Sequence, residues 1–270
     1  MKITPRTILL NITCYNQKNI GITNRYNMDK ILNKKTALIT GAASGIGKSI
    51  AVLFAKHGAK IALTDIDEDN GKKVADEIVK SGGDTFFFKS DTDGSKEANK
   101  AVKQTIDQYG KLDIAVNSAG FGGDSDRLNH YSVELWDKTI GVNLSAIFYG
   151  MKHQIPAMLE SDGGTVINIA SIIGQVGFSS CSTYAAIKHG VSGLTKTAAL
   201  EYAKKGIKVN AIEPRFIQSS LPEGVQQDQT KQLHPESRLG TAHEVAEISL
   251  WLASDKSSFV NGAYVELMAF

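Results

Sequence analysis

Tyr184 and Lys188 are the residues of this chain whose types and spacing indicate chemistry most directly. Four residues apart on an α-helix, their side chains lie on one face, one turn from each other. A phenol ordinarily ionises at a pKa of about 10, and a neighbouring ammonium group favours the phenolate. Such a pair can exchange a proton with a substrate, although most pairs at this spacing are solvated helix surface. The pair therefore needs support from other parts of the chain.

A glycine-rich turn, Thr40-Gly-Ala-Ala-Ser-Gly-Ile-Gly47, lies between the first predicted strand and the first predicted helix. Glycine allows a tight turn and a close approach to a pyrophosphate, and the helix N-terminus supplies backbone amide donors. The glycines do not have the G-x-G-x-x-G spacing, so the turn alone is a weak signal. Its place between a strand and a helix favours dinucleotide binding.

Asp65 ends the second predicted strand and is followed by Ile66. A carboxylate at this place can accept hydrogen bonds from the adenosine ribose and repel a 2′-phosphate. A site for that phosphate would favour Arg or Lys at the next position, so we expect NAD rather than NADP. The alternative, that Asp65 only caps the turn after the strand, stays open at this point.

Composition and charge limit the class of protein. The 270 residues are 42% hydrophobic and 21% charged, as in ordinary globular domains, and the net charge of +2 gives no indication of nucleic-acid binding. No apolar segment reaches the length of a membrane span. Cys14 and Cys181 are too few for a disulfide framework and lack metal-site spacing, so we expect a cytoplasmic protein without a metal.

The first 33 residues differ in composition from the rest of the chain. They are rich in asparagine and contain no acidic residue before Asp29. We expect residues 1–33 to be a poorly ordered extension and residues 34–270 to form one domain. A targeting segment and translation from Met28 are the alternatives for the extension.

From residue 34 onward, short β-type segments alternate with helical ones. The predicted strands are 35–40, 60–65, 85–89, 112–117, 164–170 and 207–212. The predicted helices are 44–57, 68–80, 96–108, 133–159 and 183–204. This alternation predicts a single α/β domain, a Rossmann-type doubly wound parallel sheet of about seven strands with helices on both faces.

With these residues together, the chain resembles the short-chain dehydrogenase/reductase family over roughly residues 34–265. The glycine turn matches that family's T-G-x-x-x-G-x-G motif. The segment Asn117-Ser-Ala-Gly120 matches its N-N-A-G motif, with Ser118 in place of the second asparagine. The residues that match the family's Asn-Ser-Tyr-Lys tetrad are Asn143, Ser171, Tyr184 and Lys188.

The resemblance also implies which residues bind the cofactor. Asp91 resembles the family's adenine contact, with Thr92 beside it, and Pro214 begins the segment that contacts the nicotinamide. The implied cofactor-binding residues are Gly41, Ser44, Gly45, Ile46, Gly47, Asp65, Ile66, Asp91, Thr92, Asn117, Ala119, Gly120, Tyr184, Lys188, Pro214, Ile217 and Ser219.

The reaction implied by the resemblance is reversible hydride transfer between a nicotinamide cofactor and a small secondary alcohol or ketone. Tyr184 would be the general acid/base, and Lys188 would favour its phenolate and bind the nicotinamide ribose. Ser171 would hold the substrate oxygen, and Asn143 would anchor a water that links Lys188 to solvent. The family's members also form oligomers, so we expect a homo-dimer or homo-tetramer.

Two departures from the family pattern bear on these expectations. Arg215 stands where the family usually has glycine, and it would be strained if the position requires a positive φ. Its guanidinium either binds an anionic substrate group or points to solvent. The C-terminal sequence, Ala263-Tyr-Val-Glu-Leu-Met-Ala-Phe270, differs from the family's V-D-G-G ending and puts a stable tetramer in question.

The substrate is the least defined part of the prediction. We expect the pocket to be lined by residues 122–128, 172–178 and 216–234, whose apolar members favour a small, cyclic alcohol. One alternative is a 3-oxoacyl-thioester reductase, although such enzymes usually take NADPH and Asp65 disfavours it. The alternative of another class is a cofactor-binding scaffold or regulator without turnover.

Overall fold

A single sheet of seven parallel strands forms the centre of the protein in the computed structural model, which describes residues 30–218 and 236–267. The strands are β1 (Thr36–Thr40), β2 (Lys60–Asp65), β3 (Asp84–Lys89), β4 (Ile114–Asn117), β5 (Gly164–Ile169), β6 (Ile207–Pro214) and β7 (Tyr264–Leu267). Their order in the sheet is β3-β2-β1-β4-β5-β6-β7. The chain thus adds β2 and β3 on one side of β1 and then returns to add β4 on the other side of β1. This order confirms the predicted doubly wound sheet.

Helices cover both faces of this sheet, as the sequence predicted. The helices are α1 (Gly45–Lys56), α2 (Glu68–Lys80), α3 (Ser95–Tyr109), α4 (Val133–Ile140), α5 (Ala146–Leu159), α6 (Ser182–Tyr202) and α7 (Ala242–Ala253). On one face Phe54 of α1 and Leu250 of α7 pack in one buried cluster. On the other face Met151 of α5 and Val191 of α6 belong to a second cluster. Because helices cover both faces of the sheet, the central strand β1 is buried along its whole length and does not alternate between buried and exposed residues.

The region 133–159 differs from the single helix that the sequence predicted. Between α4 and α5 the structure has a π-helical segment, Gly141–Ser145. The Nδ2 of Asn143 donates to the carbonyl oxygen of Thr139 at 3.0 Å, the acceptor that the backbone N–H of Asn143 would use in an α-helix. A side chain that occupies this carbonyl favours a wider turn. The prediction of one uninterrupted α-helix was therefore wrong at Asn143.

The chain enters the sheet through Leu32, which is fully buried and donates its N–H to the carbonyl oxygen of His57 at 3.0 Å. Leu32 lies just before the predicted boundary at residue 33, so the last residues of the predicted extension already contact the core. Residues 1–29 lie outside the described residues. The division of the chain at residue 33 stays a prediction.

Four buried polar side chains connect the central strands to two helices. The Nδ2 of Asn117 on β4 donates to Oδ1 of Asn168 on β5 at 2.8 Å and to Oε1 of Gln154 on α5 at 3.2 Å. Gln154 returns a hydrogen bond to Oδ1 of Asn117 at 2.9 Å. The Nδ2 of Asn168 donates to Oγ1 of Thr195 on α6 at 3.0 Å. Because buried amides must be hydrogen-bonded, this network specifies how the two helices sit on the strands.

Candidate active site

The residues predicted to bind the cofactor lie where strands end. The glycine turn follows β1, Asp65 is the last residue of β2, and Asp91 lies just after β3. Asn117 is the last residue of β4, the strand on the other side of β1. The strand order reverses between β1 and β4, and the carboxyl ends of strands at such a point are the usual ligand-binding edge of a doubly wound sheet.

The glycine turn packs directly on the loop that follows β4. Gly41 has a φ of 66° and Gly45 a φ of 54°, a region that favours glycine. A Cβ atom on Gly41 would lie only 2.7 Å from the Cα of Ala119, and one on Gly47 would overlap the carbonyl oxygen of Gly41. Only glycine fits at these positions, so the turn exposes backbone rather than side chains to a ligand.

The N-terminus of α1 provides donors for an anionic group. The N–H of Lys48 bonds to the carbonyl oxygen of Ser44 at 3.0 Å, and the three preceding amides have no acceptor within the helix. Ser44 is exposed, and its hydroxyl makes no capping hydrogen bond. With the helix dipole, these free donors fit the pyrophosphate of a dinucleotide. The amides that precede Lys48 belong to Gly45, Ile46 and Gly47.

Asp65 combines the two roles that the sequence left open. Its Oδ1 accepts from the backbone N–H of Asp67 at 3.0 Å and so stabilises the turn after β2. Its Oδ2 accepts from the N–H of Ala43 at 2.9 Å and so places the carboxylate against the glycine turn. Ile66, next to it, is 63% exposed. A negative charge therefore lies beside the phosphate-binding backbone, with an uncharged neighbour on the solvent side.

Thr40 has a role that sequence reasoning did not assign to it. Its Oγ1 accepts from the N–H groups of Ser118 and Ala119 at 3.1 and 3.2 Å and thereby holds the loop after β4 against β1. Thr40, Thr92, Asn117 and Ala119 also line one cleft, which brings the predicted adenine side together with the loop after β4. The sequence did contain a signal for this role, because Thr40 is the first residue of the T-G-x-x-x-G-x-G motif.

Tyr184 and Lys188 lie on α6 with the helical spacing that the sequence predicted. The Nζ of Lys188 is 5.3 Å from the centroid of the Tyr184 ring. It donates to the carbonyl oxygen of Ile169, at the end of β5, at 3.0 Å. Lys188 is only 6% exposed, so this carbonyl holds a buried ammonium group next to the phenol.

Ser171 and Asn143 border the same end of the sheet. Ser171 follows β5 and caps a 3₁₀ turn, Ile172–Gly174, by accepting from the N–H of Ile173 at 3.4 Å. Asn143 is buried, and its Oδ1 accepts from the N–H of Phe121 in the loop after β4 at 3.1 Å. The structure thus places Ser171 and Lys188 at the end of β5, and Asn143 at the adjacent loop.

The predicted nicotinamide segment is described only in part. Pro214 is the last residue of β6, and Ile217 is buried. Arg215 is not among the residues with positive φ, so the backbone strain considered from the sequence does not arise. Its guanidinium carbon lies 5.9 Å from the centroid of the Phe216 ring. Ser219 lies outside the described residues, as does the rest of the predicted pocket segment up to residue 234.

Exposed apolar side chains occur in the loop that follows β4 and in the loop that follows the 3₁₀ turn at Ser171. Phe121, Leu128, Val176 and Phe178 are 37%, 75%, 36% and 50% exposed. The two loops that carry them are joined by a hydrogen bond from the N–H of Asp126 to the carbonyl oxygen of Ser180 at 3.1 Å. The two loops that carry these apolar residues are therefore attached to each other.

Across residues 30–218 and 236–267, no three His, Cys, Asp or Glu side chains are arranged to hold a metal ion. In the same part of the chain, no helix has the length and apolar character needed to cross a membrane.

The fold and the site define a nucleotide-binding α/β oxidoreductase, and comparison with known proteins places the chain more closely. A family model described as Enoyl-(Acyl carrier protein) reductase matches residues 41–267. Cyclohexanol dehydrogenase of Acinetobacter sp. is 43% identical over 240 residues, which cover 87% of this chain and 96% of that protein. The crystal structure of levodione reductase superposes with a TM-score of 0.84 at 30% identity, covering 87% of this chain and 96% of that one.

A third relative, the 3-oxoacyl-[acyl-carrier-protein] reductase FabG of Staphylococcus aureus, is 35% identical over 237 residues, 86% of this chain and 96% of that protein. The chain therefore belongs to the short-chain dehydrogenase/reductase family, as its motifs predicted. It is an oxidoreductase that acts on CH–OH groups with a nicotinamide cofactor, NAD or NADP. These relatives give no support to the scaffold without turnover.

Proposed function

We propose that the protein is an NAD-dependent dehydrogenase of small cyclic secondary alcohols, which also reduces the corresponding ketones. The observation that carries this proposal is the position of Lys188, whose Nζ is 3.0 Å from the Ile169 carbonyl oxygen and 5.3 Å from the Tyr184 ring centroid. A buried ammonium fixed beside a phenol favours proton exchange at the phenol oxygen.

Tyr184 is the general base in oxidation and the general acid in reduction. When bound, the nicotinamide cofactor supplies or accepts the hydride. Tyr184 takes the hydroxyl proton of the alcohol, and the Lys188 ammonium stabilises the phenolate that must be present for this step. We also assign to Lys188 a hydrogen bond to the nicotinamide ribose.

Ser171 orients the substrate oxygen. Its Oγ accepts from the N–H of Ile173, which leaves the hydroxyl hydrogen to donate to the oxygen on which charge develops. Asn143 keeps one amide hydrogen and one oxygen lone pair beyond its contacts with Thr139 and Phe121. We assign to these groups the water that connects Lys188 to solvent.

NAD is the proposed cofactor because of the charge at the end of β2. The Asp65 carboxylate, fixed against Ala43 of the glycine turn, can bind ribose hydroxyls and repels a 2′-phosphate. The exposed Ile66 offers that phosphate no counter-charge. The remaining assigned cofactor contacts are those named from the resemblance, of which Ser219 lies outside the described residues.

A cyclic alcohol is the proposed substrate for two reasons. Phe121, Val176 and Phe178 are exposed apolar residues in the two loops predicted to line the substrate pocket, and apolar residues favour an apolar ring as the ligand. Two relatives carry cyclic alcohols in their names: the cyclohexanol dehydrogenase, and 2,5-dichloro-2,5-cyclohexadiene-1,4-diol dehydrogenase LinX of Sphingobium indicum, 37% identical over 235 residues.

A substrate panel tests this proposal. Cyclohexanol and its acyclic counterpart 2-hexanol would be compared with NAD and with NADP by following the absorbance of the reduced cofactor. With NAD, we expect kcat/KM for cyclohexanol to exceed that for 2-hexanol by about tenfold, because a ring fills an apolar pocket with less loss of conformational freedom. Turnover restricted to NADPH and 3-oxoacyl thioesters would instead favour the reductase suggested by the similarity to FabG.

We also propose that the protein is a homo-oligomer formed through α5 and α6. A groove of about 470 Å³ between these helices is lined by Leu144, Phe148, Tyr149 and Leu194, and Phe148 is 46% exposed. An apolar groove of this kind is a surface that a second copy can bury.

Phe148→Glu is expected to convert the assembly to a monomer of 29.1 kDa, because it places a charge in the proposed contact. Size-exclusion chromatography with light scattering gives the mass. Phe259→Glu is the matched control, since Phe259 is fully exposed and lies outside the groove. An unchanged mass for Phe148→Glu, or a monomeric wild type, would contradict this interface.

A cytoplasmic location completes the proposal. It is supported by the low cysteine content and by Cys181, which forms no disulfide. Fractionation of cells that express the full chain tests it.

A further inference from the structure

The side chain of Gln175 bridges two carboxylates next to the proposed site. Gln175 directly follows the 3₁₀ turn that Ser171 caps. Its Nε2 is 2.5 Å from Oε2 of Glu213 and 2.9 Å from Oε1 of Glu266. Because carboxylates only accept, the amide nitrogen must face both, and it has one hydrogen for each. Glu213 and Glu266 are neighbours across the β6–β7 pair, so their side chains lie on the same face of the sheet.

Glu213 connects this bridge to the catalytic helix. It is fully buried, and its second oxygen, Oε1, accepts from the hydroxyl of Ser192 at 3.1 Å. Ser192 lies on α6, one turn beyond Lys188. A buried carboxylate must be hydrogen-bonded, and Gln175 and Ser192 both donate to that of Glu213. The carboxylate therefore joins α6, β6 and the residue after the turn.

The turn is held on two sides. On one side Gly174 lies so close to α6 that an added Cβ would be 2.9 Å from the carbonyl oxygen of Lys188. On the other side the turn is fastened through Gln175 to the ends of β6 and β7. Ser171 is the first residue of this arrangement, so its hydroxyl is oriented by a segment fixed at both sides.

We propose that Gln175 is a positioning residue, which sets the orientation of Ser171 and of the apolar residues after it through its bridge to Glu213 and Glu266. The inference rests on the proposed function, since it assigns to Ser171 the substrate oxygen. The hydrogen bonds of Gln175 go to Glu213 and Glu266, and the proposed mechanism assigns it no contact with the cofactor or the reacting atoms. Its loss should therefore change the chemical step and leave cofactor binding intact.

Gln175→Leu removes both hydrogen bonds and keeps a side chain of similar size. We expect kcat with the alcohol to fall about tenfold, because small misplacements of an orienting group are costly to the reacting geometry. The NAD dissociation constant, measured by fluorescence titration, should stay within about twofold of wild type, because Gln175 is not among the assigned cofactor contacts. Gln108→Leu, at an exposed position on α3, is the matched control and should leave both quantities unchanged.

Gln175→Glu tests the same bridge by charge. A third carboxylate would face Glu213 and Glu266, and it could donate a hydrogen bond to neither. Because this charge repulsion adds to the loss of both hydrogen bonds, kcat should fall at neutral pH at least as far as in Gln175→Leu, with the NAD dissociation constant unchanged.

Two results would overturn the inference. One is wild-type kcat in Gln175→Leu; the other is a loss of kcat matched by an equal loss of NAD affinity, which indicates general damage. If the leucine variant does not fold, the glutamate variant decides, and wild-type kcat in that variant contradicts the bridge. Full activity of Tyr184→Phe would contradict the proposed function itself, whereas normal Gln175 variants in an otherwise confirmed enzyme contradict only this inference.

Discussion

Tyr184→Phe is expected to lower kcat by about 10³-fold while NAD still binds. Phenylalanine keeps the ring that lies 5.3 Å from the Lys188 ammonium, so the packing of α6 is preserved. It removes the hydroxyl that exchanges a proton with the substrate, and no other group takes over this step in the proposed mechanism. Steady-state kinetics with the alcohol and a fluorescence titration with NAD measure the two quantities separately.

Tyr202→Phe is the matched control for this prediction. Tyr202 is the last residue of the same helix, α6, and loses the same hydroxyl without being near Lys188. It should retain wild-type turnover. If Tyr184→Phe instead kept most of its activity, another group would carry the proton and the mechanism would be wrong. If it lost NAD binding as well, the hydroxyl would be needed for the cofactor rather than for the proton.

Asp65→Asn combined with Ile66→Arg is expected to change the preference for NADP over NAD by about a hundredfold, or about 2.7 kcal/mol. Asparagine removes the charge that repels a 2′-phosphate but keeps an oxygen that can accept one of the hydrogen bonds from Ala43 and Asp67. Arginine at the exposed position 66 can bind the phosphate with two hydrogen bonds. The ratio of kcat/KM values for the two cofactors measures the effect.

Val79→Arg provides the control, since it adds the same charge at an exposed position of α2 away from the glycine turn. Its cofactor preference should equal that of wild type. A wild-type enzyme that prefers NADP, or a double variant with unaltered preference, would show that Asp65 acts only as the cap of its turn.

The sequence was sufficient to predict the elements that bear local patterns. Each strand and helix has a hydrophobic pattern that can be read within a short window of sequence. The glycine turn is likewise contained in the eight residues Thr40–Gly47. Tyr184 and Lys188 could be placed on one helix face because their spacing is local. The bounds of the strands and helices then differ from prediction by only a few residues, as at α6, where 183–204 was expected and Ser182–Tyr202 is observed.

Features that depend on distant contacts could not be predicted. The π-helical turn at Gly141–Ser145 contains Asn143, whose Oδ1 accepts from the N–H of Phe121, 22 positions away, and no local pattern connects these two residues. The bridge at Gln175 joins residues 38 and 91 positions away, which no local pattern connects. Arg215 shows that a family pattern can also suggest a feature that the structure lacks, since its φ is not positive.

The buried hydrogen bonds between the strands and α6 also determine where Tyr184 and Lys188 lie along the axis of that helix. Apolar packing is non-directional, so a helix held by it alone can slide along its axis at little cost. The hydrogen bond from Asn168 to Thr195 is directional and buried, and it fixes α6 at one axial position. Thr195 lies about three turns beyond Tyr184 on the same rigid helix. The position of the Tyr184 hydroxyl relative to a substrate therefore depends on buried polar residues that are distant from the site of proton transfer.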